Sequence, residues 1–162
     1  MNRKTRQIAH GAMIGALYLT LCHAQNLLFP ESTSFAIQFR AAEALCVLAF
    51  FTPAAVPGLS VGCFLYNLTF AGALPLDMVV GTAATFLAVG SMRMLKNYPF
   101  FGLLMPALWN ALLVGWELNV YIGGGFWLNA LYVAIGEVAV LLTLGALLYG
   151  TMKRHLAKRI FG

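Results

Sequence analysis

Apolar residues fall into six runs along the chain, separated by short segments that hold most of the charged residues. Four runs are long, at residues 8–29, 78–95, 100–122 and 126–152. Each approaches the roughly 20 residues with which a helix crosses a bilayer. Two shorter runs, 41–51 and 56–70, are divided by Pro53 and Pro57. The pattern predicts four spanning helices and leaves the shorter pair open between two short spans and one re-entrant element.

The positions of the basic residues favour two short spans. Clusters of Lys and Arg precede the first run, follow the run 78–95 and close the chain. Cytoplasmic ends of membrane helices carry such clusters. With six crossings, nine of the chain's 10 Lys and Arg residues lie on one side, and Arg40 is the exception. A re-entrant element would need protein cover for its open backbone. We therefore predict an all-α integral membrane protein, a compact bundle of six transmembrane helices with both termini cytoplasmic.

Composition agrees with a membrane location. The 162 residues are 61% hydrophobic and 9% charged, against roughly a quarter charged in soluble domains. The length predicts one domain, 1–162. The basic clusters lie beside apolar runs, without the aromatic-interleaved basic face of a nucleic-acid-binding protein. Cys22, Cys46 and Cys63 fall inside apolar runs without metal-ligand spacing. They predict buried thiols, and no cofactor or metal is expected.

The first external loop, residues 30–40, has an alternating pattern. Phe35, Ile37 and Phe39 alternate with smaller or polar residues, a period of two that is typical of extended chain. We expect this loop to run as an extended segment over the bundle.

Polar residues inside the runs concentrate in the outer half of the predicted bundle. This asymmetry favours a polar pocket open to the outer face over a continuous channel, which needs polar lining throughout. Ionisable residues inside a membrane are costly, and function is their default explanation. The residues in question are His23, Gln25, Asn26, Arg40, Glu43, Asn67, Asp77, Asn110, Glu117, Asn119 and Glu137.

Structural roles compete with ligand binding at several of these positions. Arg40 and Glu43 are about one helical turn apart and can simply pair with each other. Asp77 suits the N-terminus of a helix as a cap. Asn110 and Glu117, about two turns apart, share one helix face. Glu137 lies roughly 16 Å past the start of its helix, near mid-membrane, with no neutralising neighbour on its own helix. It is the strongest candidate for the pocket.

Tryptophan and small residues suggest further contacts. Trp109 lies deep enough to stack on a planar ligand, although core packing is the favoured role. Trp127 lies at a predicted membrane interface, where tryptophan is common in any case. In the first run, small residues four apart allow another helix to approach closely, whether a partner's or one of this chain. They are Gly11, Gly15, Ala12 and Ala16.

Several stretches resemble, in order, those of one transporter family. The second run begins AIQFRAAEAL at residues 36–45, followed by a Pro-Gly-Leu at 57–59, Gly-Cys at 62–63 and Asn67. The likeness resumes with DMVVGT at 77–82, NALLVG at 110–115 and Gly-Glu at 136–137. These stretches resemble the QueT family, the substrate-binding S components of energy-coupling factor (ECF) transporters for queuosine precursors.

The resemblance implies a function and a set of partners. It implies a six-helix subunit of the prokaryotic plasma membrane that captures queuine or aminomethyl-7-deazaguanine outside the cell. It implies delivery inward together with an ECF transmembrane T component and two cytoplasmic ATPases. In that family, small residues of the first helix dock the partner, a role carried over to Ala12 and Ala16 with Gly11 and Gly15. The substrate-binding residues expected on this basis are Gln38, Arg40, Glu43, Asn67, Trp109, Asn110, Glu117, Trp127 and Glu137.

Three other functions remain open from the residues. The chain can be an S component for another vitamin-like solute, a proton-coupled secondary carrier using Glu137, or a scaffold without a small ligand. An enzyme is disfavoured, because the sequence shows no GxxxxGK[ST] loop, HExxH motif or Ser/His arrangement.

Overall fold

The computed structural model describes residues 2–30, 39–70, 73 and 75–156, and every regular element within these ranges is helical. The helices are α1 (Arg3–Leu28), a 3₁₀ helix (Ala41–Phe50), α2 (Ala55–Thr69), α3 (Asp77–Met94), α4 (Pro99–Tyr121), α5 (Phe126–Val140) and α6 (Ala146–Thr151). Two π-helical turns, Leu141–Gly145 and Met152–Leu156, continue the last helix. Since α5, α6 and the two π-helical turns form one continuous segment, the elements confirm the six predicted helical runs. Residues 31–38 of the predicted extended loop lie outside the described residues.

Within the described residues, two helices are long and apolar enough to cross a membrane. They are Pro99–Tyr121 and the C-terminal helical segment Phe126–Arg154. Large apolar side chains lie exposed around the outside of the bundle, among them Leu131 and Leu147. An exposed apolar surface of this extent suits a lipid environment. The full count of crossings and the side of each terminus stay predictions.

The 3₁₀ helix is the central element of the bundle. It packs against α1 to α6, and all of its residues from Ala42 to Phe50 are buried. A 3₁₀ helix rises about 2.0 Å per residue against 1.5 Å in an α-helix. Its 10 residues therefore extend roughly 20 Å, so this short apolar run reaches further than the same residues would as an α-helix.

A side chain from α3 binds the C-terminal end of the 3₁₀ helix. One terminal nitrogen of the Arg93 guanidinium donates to the backbone carbonyls of Ala49 and Phe50, at 3.1 Å each. The last carbonyls of a helix have no partner within it, so Arg93 satisfies groups that would otherwise be unpaired. Arg93, which the sequence suggested only as a topology signal, is thus also a structural residue.

Glycines bring α1 and α2 into backbone contact. A Cβ atom added to Gly15 would lie 2.6 Å from the Gly58 carbonyl oxygen, and one added to Gly62 would lie 2.7 Å from that of Gly15. Gly11 meets the carbonyl of Ala54, directly before α2, where an added Cβ would lie 3.2 Å away. The glycine half of the small-residue pattern is therefore used within this chain, between its first two α-helices.

The connection between α4 and α5 is made by three consecutive glycines. Gly123, Gly124 and Gly125 all have positive φ angles, of 78°, 83° and 97°, a region that side-chain-bearing residues rarely adopt. Asn119 and Asn129 close this turn, accepting from the Gly125 N–H and donating to the Gly123 carbonyl. The tight turn makes α4 and α5 neighbours, which brings their polar residues together.

The glycine contact predicts a strong effect of one added methyl group. We expect Gly15→Ala to destabilise the protein by about 1–3 kcal/mol, because its Cβ collides with the α2 backbone. Gly90→Ala is the matched control, since a Cβ at Gly90 in α3 meets nothing within 4 Å. Thermal unfolding of both variants in detergent measures the difference. Equal stability of the two variants would contradict the close contact.

Candidate functional site

Nearly all the acidic residues of the chain gather in one part of the bundle. The chain has 5 Asp and Glu residues, and Glu31 alone lies outside the described ranges. The other four come from the 3₁₀ helix, α3, α4 and α5. Glu43, Glu117 and Glu137 are each at most 2% exposed. Buried carboxyl groups need hydrogen-bond partners or opposite charges, so the partners of each one indicate its role.

Glu43 is held by two other side chains. The Tyr18 hydroxyl donates to Oε1 at 2.6 Å, and the Cys46 thiol donates to Oε2 at 3.1 Å. In a 3₁₀ helix, residues three apart lie directly above one another, which places Cys46 beneath Glu43. Tyr18 reaches the same carboxyl from α1. Both oxygens of Glu43 therefore already have a protein partner.

Only one of the two carboxyl oxygens of Glu137 has a hydrogen-bond partner. Asn110 Nδ2 on α4 donates to its Oε1 at 3.1 Å. The second oxygen, Oε2, is buried and has no hydrogen-bond partner. Asn110 itself is 2% exposed. The pair thus presents one free carboxyl oxygen beside an amide, deep in the bundle.

Glu117 forms a second, shallower acidic group with Asp77. The two carboxyl groups interact with each other as neighbours, and Glu117 Oε1 is buried without a partner. Asn67 on α2 donates to the backbone carbonyl of Asp77 at 2.7 Å, which fixes the start of α3. Two carboxyl groups this close either share a proton or attract a cation.

Arg40 lies among these carboxyl groups at the start of the 3₁₀ helix. Its guanidinium interacts electrostatically with Glu43 and Glu137, and with Glu117. Between Arg40 and Glu43, both within the described residues, the structure records no ion pair. Arg40 is therefore not committed to one local pair with Glu43, and its charge acts on all three buried acids. Three carboxyl groups near one guanidinium suit a ligand that carries hydrogen-bond donors or a positive charge.

Two of the expected site residues make other contacts in the structure, and a third lies outside the described residues. Trp109 donates its indole N–H to Ser91 Oγ at 2.9 Å, on the flank of α4 between α3 and α4. Trp127 is 78% exposed and packs edge-on against Phe126. Gln38 lies outside the described residues. The structure therefore brings Arg40, Glu43, Asn110 and Glu137 together, with Glu117 and Asn67 beside Asp77.

Tyr18 is the site residue that the sequence did not reveal. It is 1% exposed and lies in the middle of the first apolar run. A tyrosine in a membrane helix is unremarkable by composition, and its partner Glu43 is 25 residues away in the chain. The one available signal was that a buried phenol hydroxyl usually needs a partner.

Comparison with known families gives a match over most of the chain. The model of a family described as QueT transporter matches residues 8–154. The chain belongs to the QueT transporter family. Comparisons with curated proteins and with solved structures found no match.

Family membership identifies this protein as a membrane transport protein for a solute. The QueT match runs from residue 8 within α1 to residue 154, past α6, so it includes every described residue of the acidic group. A transporter needs a polar site within its membrane-embedded part. The buried acids of this QueT protein are the residues in the described ranges best suited to form one.

The Tyr18–Glu43 hydrogen bond predicts a specific loss of stability. Tyr18→Phe leaves Glu43 Oε1 buried without its donor, which costs about 1–3 kcal/mol. Tyr132→Phe, on α5 and half-buried, is the control for losing a hydroxyl group. Thermal unfolding in detergent compares the two. An unchanged melting temperature for Tyr18→Phe would show that the bond contributes nothing.

Proposed function

We propose that this QueT protein is the substrate-binding S component of an ECF importer for a queuosine precursor, either queuine or aminomethyl-7-deazaguanine. The observation that carries the proposal is that Glu137 and Glu117 each keep one buried oxygen without a partner. Such an oxygen is costly in a low-dielectric interior unless a ligand occupies it.

The deep pair suits the guanine edge of a deazaguanine. That edge carries an N1–H and an exocyclic NH₂ side by side, which a carboxylate accepts in parallel. Glu137 offers the free Oε2, and Asn110 next to it supplies an amide with both donor and acceptor groups. Gln38, in the first external loop, is our candidate for the remaining ring groups.

The shallower pair suits the side-chain amine of these precursors. Queuine and its aminomethyl precursor carry an amine that is protonated near neutral pH. Glu117 and Asp77 place two carboxyl groups together, and a cation between them relieves their repulsion. We propose that Glu137 reads the ring and Glu117 with Asp77 binds the amine.

An apolar groove between α1 and α2 is our candidate for the partner surface. The groove has a volume of about 770 Å³ and is lined by both helices, including Ala12 and Ala16. These alanines are exposed, whereas Gly11 and Gly15 are buried toward α2. We propose that the T component docks here, and that the two cytoplasmic ATPases act through it.

The orientation of the bundle in the membrane is a further part of the proposal. We propose a single domain with six spans in the cell membrane and both termini cytoplasmic. The rise of the 3₁₀ helix supports a crossing by the short run 41–50. Arg93, at the C-terminal end of the 3₁₀ helix, and the nearby Lys96 lie on the side that we assign to the cytoplasm.

The substrate assignment predicts different effects of the two glutamates. In tryptophan-fluorescence titrations of the detergent-purified protein, we expect saturable binding of queuine and the aminomethyl precursor and none of vitamins. Glu137→Gln should weaken every deazaguanine, and guanine, by about tenfold or more. Glu117→Gln should weaken only the ligands that carry an amine.

Two outcomes would redirect this assignment. Binding of another solute alone would keep the S-component role and overturn the cargo. Transport by the isolated protein in liposomes, driven by a pH gradient and lost in Glu137→Gln, would favour a proton-coupled carrier instead.

The docking assignment predicts that one bulky residue separates assembly from substrate binding. Ala16→Trp should block co-purification with the T component and ATPases while leaving ligand affinity unchanged, because it fills the groove. Leu17→Trp is the control: Leu17 is the next residue on α1 and is also exposed, but it does not line the groove. Normal assembly of Ala16→Trp would contradict docking at this surface.

A further inference from the structure

The side-chain amide of Gln25 bonds the backbone on both sides of Arg40. Its Oε1 accepts from the Ala41 N–H at 2.8 Å, and its Nε2 donates to the Phe39 carbonyl. Gln25 lies near the outer end of α1, whereas Arg40 begins the 3₁₀ helix. An amide group has one donor side and one acceptor side, so a single side chain can satisfy this pair of backbone groups. We call this arrangement the Gln25 clamp.

The bonds around Arg40 leave its backbone little freedom. Its conformation is extended, with φ −102° and ψ 91°, and its own carbonyl accepts from the Glu43 N–H at 2.9 Å. The clamp therefore sets where the extended chain ends and where the 3₁₀ helix begins. A shift of one residue would move both Arg40 and Glu43 relative to Glu137.

The position of Arg40 matters because its charge acts on all three buried acids. Its guanidinium interacts with Glu43, Glu137 and Glu117. Electrostatic interactions in a low-dielectric interior change steeply with distance. A cation held at one place fixes how much negative charge remains for a ligand at each carboxyl group.

We propose that Gln25 is a positioning residue for substrate binding: it holds the backbone at Arg40, whose charge acts on the buried carboxyl groups, and fixes the end of the first external loop at Phe39. This inference rests on the proposed function for its effect on a ligand, but the clamp itself can be tested without one.

The first experiment measures the clamp directly by limited trypsin digestion of the detergent-purified protein. Trypsin cuts after Arg40, and cleavage requires release of the backbone that Gln25 holds. We expect Gln25→Ala to raise the rate of cleavage at Arg40 by about tenfold, since two hydrogen bonds are lost. Mass spectrometry identifies the N-terminal fragment that ends at Arg40.

Matched variants separate the clamp from a general effect on α1. His23→Ala is the control, because His23 lies close to Gln25 on α1 but bonds Thr69 Oγ1 on α2 instead. Gln25→Glu keeps the acceptor for Ala41 and loses the donor to Phe39, so an intermediate rate is expected. Equal cleavage in Gln25→Ala and His23→Ala, both eluting as monodisperse protein, would overturn the clamp.

The second experiment tests whether Gln25 acts through Arg40. Gln25→Ala should weaken binding of aminomethyl-7-deazaguanine by about tenfold, and should add less than about twofold in an Arg40→Ala background. Full additivity in this double-mutant cycle would overturn the positioning role. If the unmodified protein binds no deazaguanine while the cleavage difference persists, the assigned cargo fails and the clamp stands.

Discussion

A bilayer offers no hydrogen-bond partner to a buried carboxyl group, so the protein itself must supply one. Glu43 lies on the 3₁₀ helix at the centre of the bundle, and the Tyr18 hydroxyl and Cys46 thiol bond its two oxygens. Other contacts depend on this arrangement. Tyr18 links α1 to the 3₁₀ helix. Arg93 donates to the last carbonyls of that helix, and α2 to α6 pack around it.

The contrast between Glu43 and the other two buried glutamates indicates which carboxyl groups are available to a ligand. Glu43 is bonded at both oxygens, whereas Glu117 and Glu137 each retain one oxygen without a partner. Because desolvating an unpaired polar group is unfavourable, the two classes of carboxyl group suit different roles. A satisfied group stabilises the bundle, and a half-satisfied group is suited to a ligand with hydrogen-bond donors.

The first helix uses its small residues on two faces. Gly11 and Gly15 contact the α2 backbone so closely that a methyl group does not fit at Gly15 without a shift. Ala12 and Ala16 line the exposed groove beside this contact. The glycines set the distance between α1 and α2, and that distance shapes the groove. A surface proposed for a partner therefore depends on packing inside the chain.

The sequence by itself determined the class of protein, the six helical runs and most of the acidic candidates. Apolar runs of sufficient length with few charges have one favourable environment, so their helices and approximate ends followed from pattern alone. The shared face of Asn110 and Glu117 followed from helical periodicity, and the structure buries both. Resemblance of ordered stretches indicated the family that the match over residues 8–154 showed.

Only the tertiary structure decided which polar residues are satisfied and by what. Because residues 41–50 form a 3₁₀ helix, Cys46 lies directly beneath Glu43. In an α-helix, with 3.6 residues per turn, the two side chains would point in different directions. Tyr18, Gln25 and Arg93 act on residues far from them in sequence, and no periodicity within one helix reports a contact between helices. Trp109 and Trp127 had suitable depth or chemistry, but depth does not specify the direction of a side chain. Helical periodicity places a residue on a face, and the packing of the helices decides what that face meets.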